Sequence, residues 1–173
     1  MTDPVHPGSA QIHRGYLPGA IGRITEMHAR YYARTVGFGQ YFESKVAAGL
    51  AEFTGRLEHP RNGLWLAVQN DTIVGSIAID GEDLGGNVAH LRWFILDDSL
   101  RGGGFGKQLL SAAIDFCDQQ QFAETQLWTF SGLDVARKLY ETAGFQLVQQ
   151  QAASQWGKEM IEQQFTRPSA PPR

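Results

Sequence analysis

A mixed α+β fold, with one central sheet flanked by helices, is what this sequence predicts, and three observations predict it. Apolar residues recur at helical spacing both before and after a block of short strand-like runs; turn residues punctuate that block at close intervals; and a glycine-rich turn leads from its last strand into an amphipathic helix. The chain has 173 residues with 42% apolar content, enough for one sizeable core. No internal repeat and no internal Pro/Ser/Gly linker divides it, so a single domain is expected over 10–167. Residues 1–9 and 168–173, rich in Pro, Gly and Ser, read as tails.

The elements follow in order. A short strand at 11–15 precedes a helix whose apolar positions Ile21, Ile24, Met27 and Tyr31 lie on one face. Phe42, Val46, Leu50, Phe53 and Leu57 mark a second helix, expected to end near His59 because the residue before Pro60 avoids the helical region. The runs 64–68 and 73–79 flank Asn70-Asp71, a tight-turn pair, and 81–87 leads into a longer strand at 88–96. These three strands form an antiparallel meander. After the glycine turn at 101–107, Phe105, Leu109, Leu110, Ala113, Ile114 and Cys117 form one helical face. A strand at 125–130 precedes a helix carrying Leu133, Ala136, Leu139, Tyr140 and Ala143, with Gly144 placed to cap it in the left-handed conformation. Strands at 145–151 and 159–166 complete the set, the latter expected at the sheet edge.

Charge and composition narrow the function. With 15 basic and 18 acidic residues the net charge is -3, which gives no general attraction to a polyanion, and nucleic acid is not an expected partner. One cysteine cannot make an internal disulfide, and the five histidines lack close metal-ligand spacing, so no metal is expected. The first residues lack the pattern of a signal peptide, and no run approaches the ~18 apolar residues of a membrane span. A soluble cytoplasmic protein with no membrane partner is the expectation.

The turn Arg101-Gly102-Gly103-Gly104-Phe105-Gly106-Lys107 stands where unpaired N–H groups and the helix dipole favour an anion. A Walker P-loop would need glycine at Arg101 and Ser or Thr at Gln108; a dinucleotide fingerprint starting at Gly102 would need glycine at Lys107. A third pattern, Gln/Arg-x-x-Gly-x-Gly/Ala, is met by Arg101, Gly104 and Gly106.

That pattern is the acetyl-CoA pyrophosphate loop, and with its flanks the chain resembles the GNAT superfamily of N-acetyltransferases from about Trp65 to Phe165. Three pieces carry the likeness: 91–97, 101–110 and 136–145. Their wording looks most like acetyltransferase domains often fused in bacteria to MarR-type regulators, although no MarR-like segment is present. The resemblance implies a central mixed, mostly antiparallel sheet with two N-terminal helices before the main meander. It implies acetyl-CoA as co-substrate, with backbone groups of Phe94, Ile95 and Leu96 facing pantetheine and N–H groups of Gly102 to Lys107 holding pyrophosphate. The acceptor would be a primary amine on a small molecule or peptide, attacking directly in a ternary complex; a homodimer is compatible with this reading.

Acetyl transfer to an amine needs a base, a donor for the oxyanion and an acid for the departing thiolate. Tyr140, in Ala-x-x-Leu-Tyr-x-x-x-Gly-Phe, matches the family tyrosine that faces the CoA sulfur, and a backbone N–H near Phe94 would meet the oxyanion. His90 falls where several GNAT enzymes place the base, and an ordinary imidazole pKa of ~6.5 suits that task; the other reading is a half-exposed strand histidine without chemistry. His28, Tyr31 and Tyr32 share a helix face that in the family borders the acceptor pocket, and Trp93 is a further candidate there, yet each could be core. Asp80 and Glu82 could attract an ammonium but read more simply as solvated turn carboxylates. Leu133 stands where many members carry an asparagine that contacts pantetheine. Cys117, on an apolar stripe, reads as packing. A non-catalytic acetyl-CoA sensor is the rival function.

Overall fold

The computed structural model describes residues 9–100 and 102–170. Seven strands form one sheet in the order β1-β2-β3-β4-β5-β7-β6. In chain order the elements are β1 (Gln11–Arg14), α1 (Ala20–Val36), α2 (Gln40–Thr54), β2 (Gly63–Gln69), β3 (Thr72–Asp80), β4 (Val88–Leu96), α3 (Phe105–Gln119), β5 (Glu124–Phe130), α4 (Asp134–Thr142), β6 (Gln146–Ala153) and β7 (Met160–Pro168). All neighbours are antiparallel except β4 and β5. The mixed, mostly antiparallel sheet with two helices ahead of its meander is as the sequence predicts.

Alternation along the strands divides the core between the two faces of the sheet. In β2, Trp65 and Ala67 pack with Leu109, Ala113 and Phe116 of α3, whereas Leu64 and Leu66 pack with Ile24 of α1 and Leu50 and Phe53 of α2. Each such fully buried Leu, Ile or Phe contributes about 1.5–3 kcal/mol of transfer free energy. Asn70 and Asp71 both adopt positive φ, 49° and 59°, which makes the two-residue β2–β3 turn match the twist of its strands. Gly144 follows α4 at φ 101°, the left-handed position that the sequence assigns to it.

Two expectations are corrected. Helix α2 stops at Thr54, short of His59: the Thr54 hydroxyl bonds back to the Leu50 carbonyl at 2.9 Å, and Arg56, Leu57 and His59 donate in successive tight turns instead of continuing the helix. The strand at 159–166 is not at the edge. As β7 it lies between β5 and β6, burying Phe165, Gln163 and Glu162, while β6, with glutamines at 146, 149, 150 and 151, is the exposed edge. Polar side chains on both strands hid which one had two neighbours. Of the expected tails, 1–8 and 171–173 lie outside the described residues.

Candidate functional site

The glycine turn builds the first part of the site. Gly104 is the N-cap of α3 at φ 82° and offers no side-chain cap; the first bond into the helix is from Gln108 N to Gly104 O at 3.1 Å. The N–H groups of Phe105, Gly106 and Lys107 therefore have no partner within the helix. A Cβ at Gly102 (φ 85°) or Gly104 would project into open space, so what these positions require is the left-handed backbone rather than room. At Gly106 a Cβ would approach Leu96 to 3.1 Å and Leu139 to 3.4 Å, so glycine here lets α3 sit close to β4 and α4. A groove of about 920 Å³ opens beside this turn, with Lys107 from α3 and Lys138 from α4 on its walls. Gly102, Gly104, Gly106, Lys107 and Leu96 face that groove; Gly103 and Phe105 pack beside it, the Phe105 ring against the core. Arg101 lies outside the described residues. An anion with an elongated apolar or amide tail fits this arrangement of dipole, lysines and trough.

The second part is a split in the sheet. β4 and β5 run parallel and pair only at Val88↔Glu124, Ala89↔Thr125 and His90↔Gln126. Beyond His90 the strands part. The cause is a bulge: Ser76 of β3 pairs Ile95 and Ala78 pairs Arg92, leaving Trp93 and Phe94 opposite one residue. Trp93 takes φ 49°, a conformation that costs a non-glycine residue about 1–3 kcal/mol. Its carbonyl accepts from the Ser76 hydroxyl at 2.7 Å, its indole lies under the Arg92 guanidinium at 4.0 Å, and Gly49 of α2 leaves room for the ring. A narrow channel of about 120 Å³ follows the split past Phe94, Ile95, Leu96 and Leu133, and Tyr31 stands on its wall.

The third part is a cavity of about 410 Å³ at the far end, roofed by α1 and α2 and by the β6–β7 connection. The three spaces adjoin. Leu96, Val135 and Leu139 line both groove and channel; Tyr32, Phe94, Thr129 and Tyr140 line both channel and cavity. Tyr140 is buried on α4 against Phe94, Phe145 and Phe165, and its hydroxyl has no hydrogen-bond partner among the described residues. Burial, reinforced by the nearby Tyr32 and Tyr31, drives its pKa well above the ordinary phenol value.

His90 opens onto the cavity from β4 with 16% of its side chain exposed. Its Nδ1 lies 2.7 Å from the Asp83 carboxylate, and the ring meets the edge of Trp128 at 5.0 Å. A carboxylate accepts only, so Nδ1 carries the proton and neutral His90 keeps a lone pair on Nε2. His28 also lines the cavity, but it is buried and donates Nδ1–H to the Ile24 carbonyl at 2.8 Å; burial pushes its pKa down to about 4. Tyr32 and Trp93 join it on the wall, whereas Tyr31 faces the channel and the outer end of α1.

Behind the cavity, Asp80 is fully buried rather than solvated. Arg56 grips it at 2.8 and 3.2 Å, Arg92 stands at 3.5 Å, and the N–H groups of Glu82 and Asp83 cap it. Those contacts outweigh its desolvation and lower its pKa. Glu82 is likewise engaged, by Arg56 at 3.0 Å and Asn62 at 2.8 Å. Neither carboxylate lines the cavity; the reading of Asp80 as a solvated turn group is corrected, whereas Glu82 is an exposed turn carboxylate as the sequence predicts. Asp80 looked solvated because of its turn position; Arg56, which binds it, is distant in sequence. Cys117 is buried packing, its thiol pushed up to about 11 by desolvation. Sequence reasoning missed Asp83, Arg92, Trp128 and Glu162. Asp83 was legible in principle, because a hairpin that pairs Asp80 with His90 folds its loop back over that histidine.

Comparison with known proteins agrees with this geometry. The Acetyltransferase (GNAT) family pattern matches residues 23–145. N-acetylaspartate synthetase of Danio rerio is 28% identical over 123 residues, 70% of this chain but 43% of that protein, so the match spans less than half of the curated relative. An acetyltransferase of the GNAT family from Staphylococcus aureus superposes with a TM-score of 0.74 at 19% identity, covering 94% of this chain and all of that one. YncA from Salmonella typhimurium, a structure holding acetyl-CoA, gives 0.72 at 12% identity over 94% of this chain and 96% of its own. Among the described residues no helix is long and apolar enough to cross a membrane, and no group of three His, Cys, Asp or Glu side chains could hold a metal. With a glycine turn at a helix N-terminus, a sheet split beyond it and the family pattern covering most of the chain, this protein belongs to the GNAT family of acetyltransferases, for which acetyl-CoA is the typical co-substrate.

Proposed function

We propose that the chain moves the acetyl group of acetyl-CoA to a primary amine of a small molecule or peptide by direct attack in a ternary complex, with His90 as base and Tyr140 as acid. The observation that carries this reading is the continuity of groove, channel and cavity, with Tyr140 at the junction and His90 beyond it. Acetyl-CoA supplies a thioester carbon as electrophile and a thiolate as leaving group. The free N–H groups of Phe105 to Lys107, with Lys107 and Lys138, would hold the pyrophosphate. The edge of β4 released by the split, from Phe94 to Leu96, would align pantetheine by backbone contacts, and a backbone N–H near Phe94 would meet the developing oxyanion.

The proton inventory then closes. The amine arrives as ammonium; Nε2 of His90 accepts its proton, and Asp83 fixes the tautomer and offsets the charge that forms. The C–N bond forms, the C–S bond breaks, the sulfur takes its proton from the Tyr140 hydroxyl, and the second proton that the nitrogen sheds as the amide forms restores that hydroxyl. His28 is the weaker candidate for base, because a pKa pushed down to about 4 leaves little proton affinity at neutral pH. The finer likeness to MarR-fused domains adds nothing to this reading.

The test is release of free thiol over a panel of amines, with products identified by mass spectrometry. Amine-dependent release and an acetylated product are expected. Acetyl-CoA binding without turnover on any amine would establish the sensor reading instead.

A further inference from the structure

Glu162 reaches the acceptor cavity from β7, and nothing above assigns it a task. Its residue is 9% exposed, its carboxylate accepts from the Gln155 amide, and no basic side chain among the described residues lies within ion-pair distance of it. A buried carboxylate without a countercharge is costly unless a cation can reach it. The cavity is the space through which one could.

We propose that Glu162 sets acceptor specificity, so that the cavity takes amines that carry no carboxylate, on an aromatic or aliphatic body; this rests on the acetyl-transfer reading above. Two further observations support it. The walls are aromatic: Tyr32, Phe42, Trp93, Trp128, Phe130 and Trp156 surround the space. Phe42 and Trp156 meet at 5.6 Å and Tyr32 and Phe130 at 5.9 Å. Such walls favour an apolar body, and ring faces attract an ammonium. The second observation is the charge count. Arg92 is the one guanidinium or ammonium on the cavity wall among the described residues, and it is already matched, by Asp80 at 3.5 Å and Asp83 at 3.7 Å, with Trp93 beneath it. An amino acid would bring its carboxylate into a space that holds Glu162 and offers no uncommitted strong cation. A dicarboxylic amino acid would bring two. The like-charge repulsion acts in a partly desolvated cavity, where it is screened less than in water.

Matched pairs that differ by one carboxylate isolate the effect: phenethylamine against phenylalanine, tryptamine against tryptophan, with aspartate as the extreme. In the wild-type protein kcat/KM should favour each amine over its amino acid by at least about tenfold, with aspartate the poorest acceptor. Glu162→Gln keeps the shape and a partner for Gln155, and should shrink that ratio several-fold while the acetyl-CoA-induced rise in melting temperature is unchanged. Calorimetric binding of the same pairs in the presence of CoA reads the cavity without turnover. Selective binding without thiol release would sink acetyl transfer and leave the selectivity standing. Wild-type protein that binds or acetylates the amino acids as well as their amines, or a Glu162→Gln variant with an unchanged ratio, overturns the proposal.

Discussion

Replacing Tyr140 by phenylalanine removes one oxygen from the point where channel and cavity meet. The ring contacts, 6.0 Å to Phe94 and Phe145 and 6.2 Å to Phe165, survive the change. Because the hydroxyl has no protein partner among the described residues, its loss leaves no orphaned donor or acceptor, and stability should change by no more than ~0.5 kcal/mol. Turnover is another matter. A positioned acid is worth about 10² to 10⁴ in rate. Burial raises the phenol pKa further above the ordinary thiol value of ~8.5, so the hydroxyl donates late, as the C–S bond opens, and the effect belongs at the low end of that range. A loss of about 10² in kcat, or about 2.7 kcal/mol of barrier at 1.36 per decade, is expected, with the acetyl-CoA melting shift intact. Single-turnover thiol release at saturating amine measures it. If chemistry limits the rate and kcat does not fall, Tyr140 is not the acid.

Gly104→Asp should abolish the melting shift given by acetyl-CoA, because it loads a left-handed position and puts negative charge where pyrophosphate would lie; a retained shift would remove the turn from cofactor binding. His90→Gln should cut amine-dependent turnover while leaving the acetyl-CoA melting shift intact, and Asp83→Asn should cut it less; unchanged turnover in both would exclude the pair. Arg56→Met should destabilise the fold by about 2–3 kcal/mol, at or below the low end of the roughly 3–5 kcal/mol for breaking a buried pair, since Arg92 and two backbone N–H groups still hold Asp80; urea unfolding that shows under about 1 kcal/mol would refute this. Asp80 has its pKa lowered by folding, so its contribution is full above the unfolded value of ~3.9 and fades as pH falls through the folded one; the mutant and wild-type stabilities should therefore converge in acid.

What could be read from the sequence was what periodicity and fixed spacing encode. Leu109, Ala113 and Cys117 announced the buried face of α3, Asn70-Asp71 a tight turn, and the glycines of 102–106 a turn into a helix. Tyr140 and His90 were placed by register against a family pattern, and both face the spaces that the fold creates. What was hidden depended on tertiary neighbours. Asp80 looked like a turn residue until the chain after α2 brought Arg56 over it, and Glu162 could not be assigned to the cavity before β7 was known to lie inside the sheet. The bulge at Trp93 was equally invisible, since it is set by how β3 and α2 pack against one strand rather than by that strand's own residues.

Among the described residues, the three residue pairs that join β4 to β5, with the bond from Ala123 N to Asn87 O just ahead of them, form a short backbone seam between a four-stranded half, β1 to β4, and a three-stranded half, β5, β7 and β6. Every other ladder in the sheet runs longer. The protein is thus built like a book bound along a short spine, and a co-substrate held in the split, as proposed, would touch both covers. Its binding energy would register as resistance to shear between the halves, and hydrogen exchange along Val88–Leu96 and Glu124–Phe130 would slow together on loading.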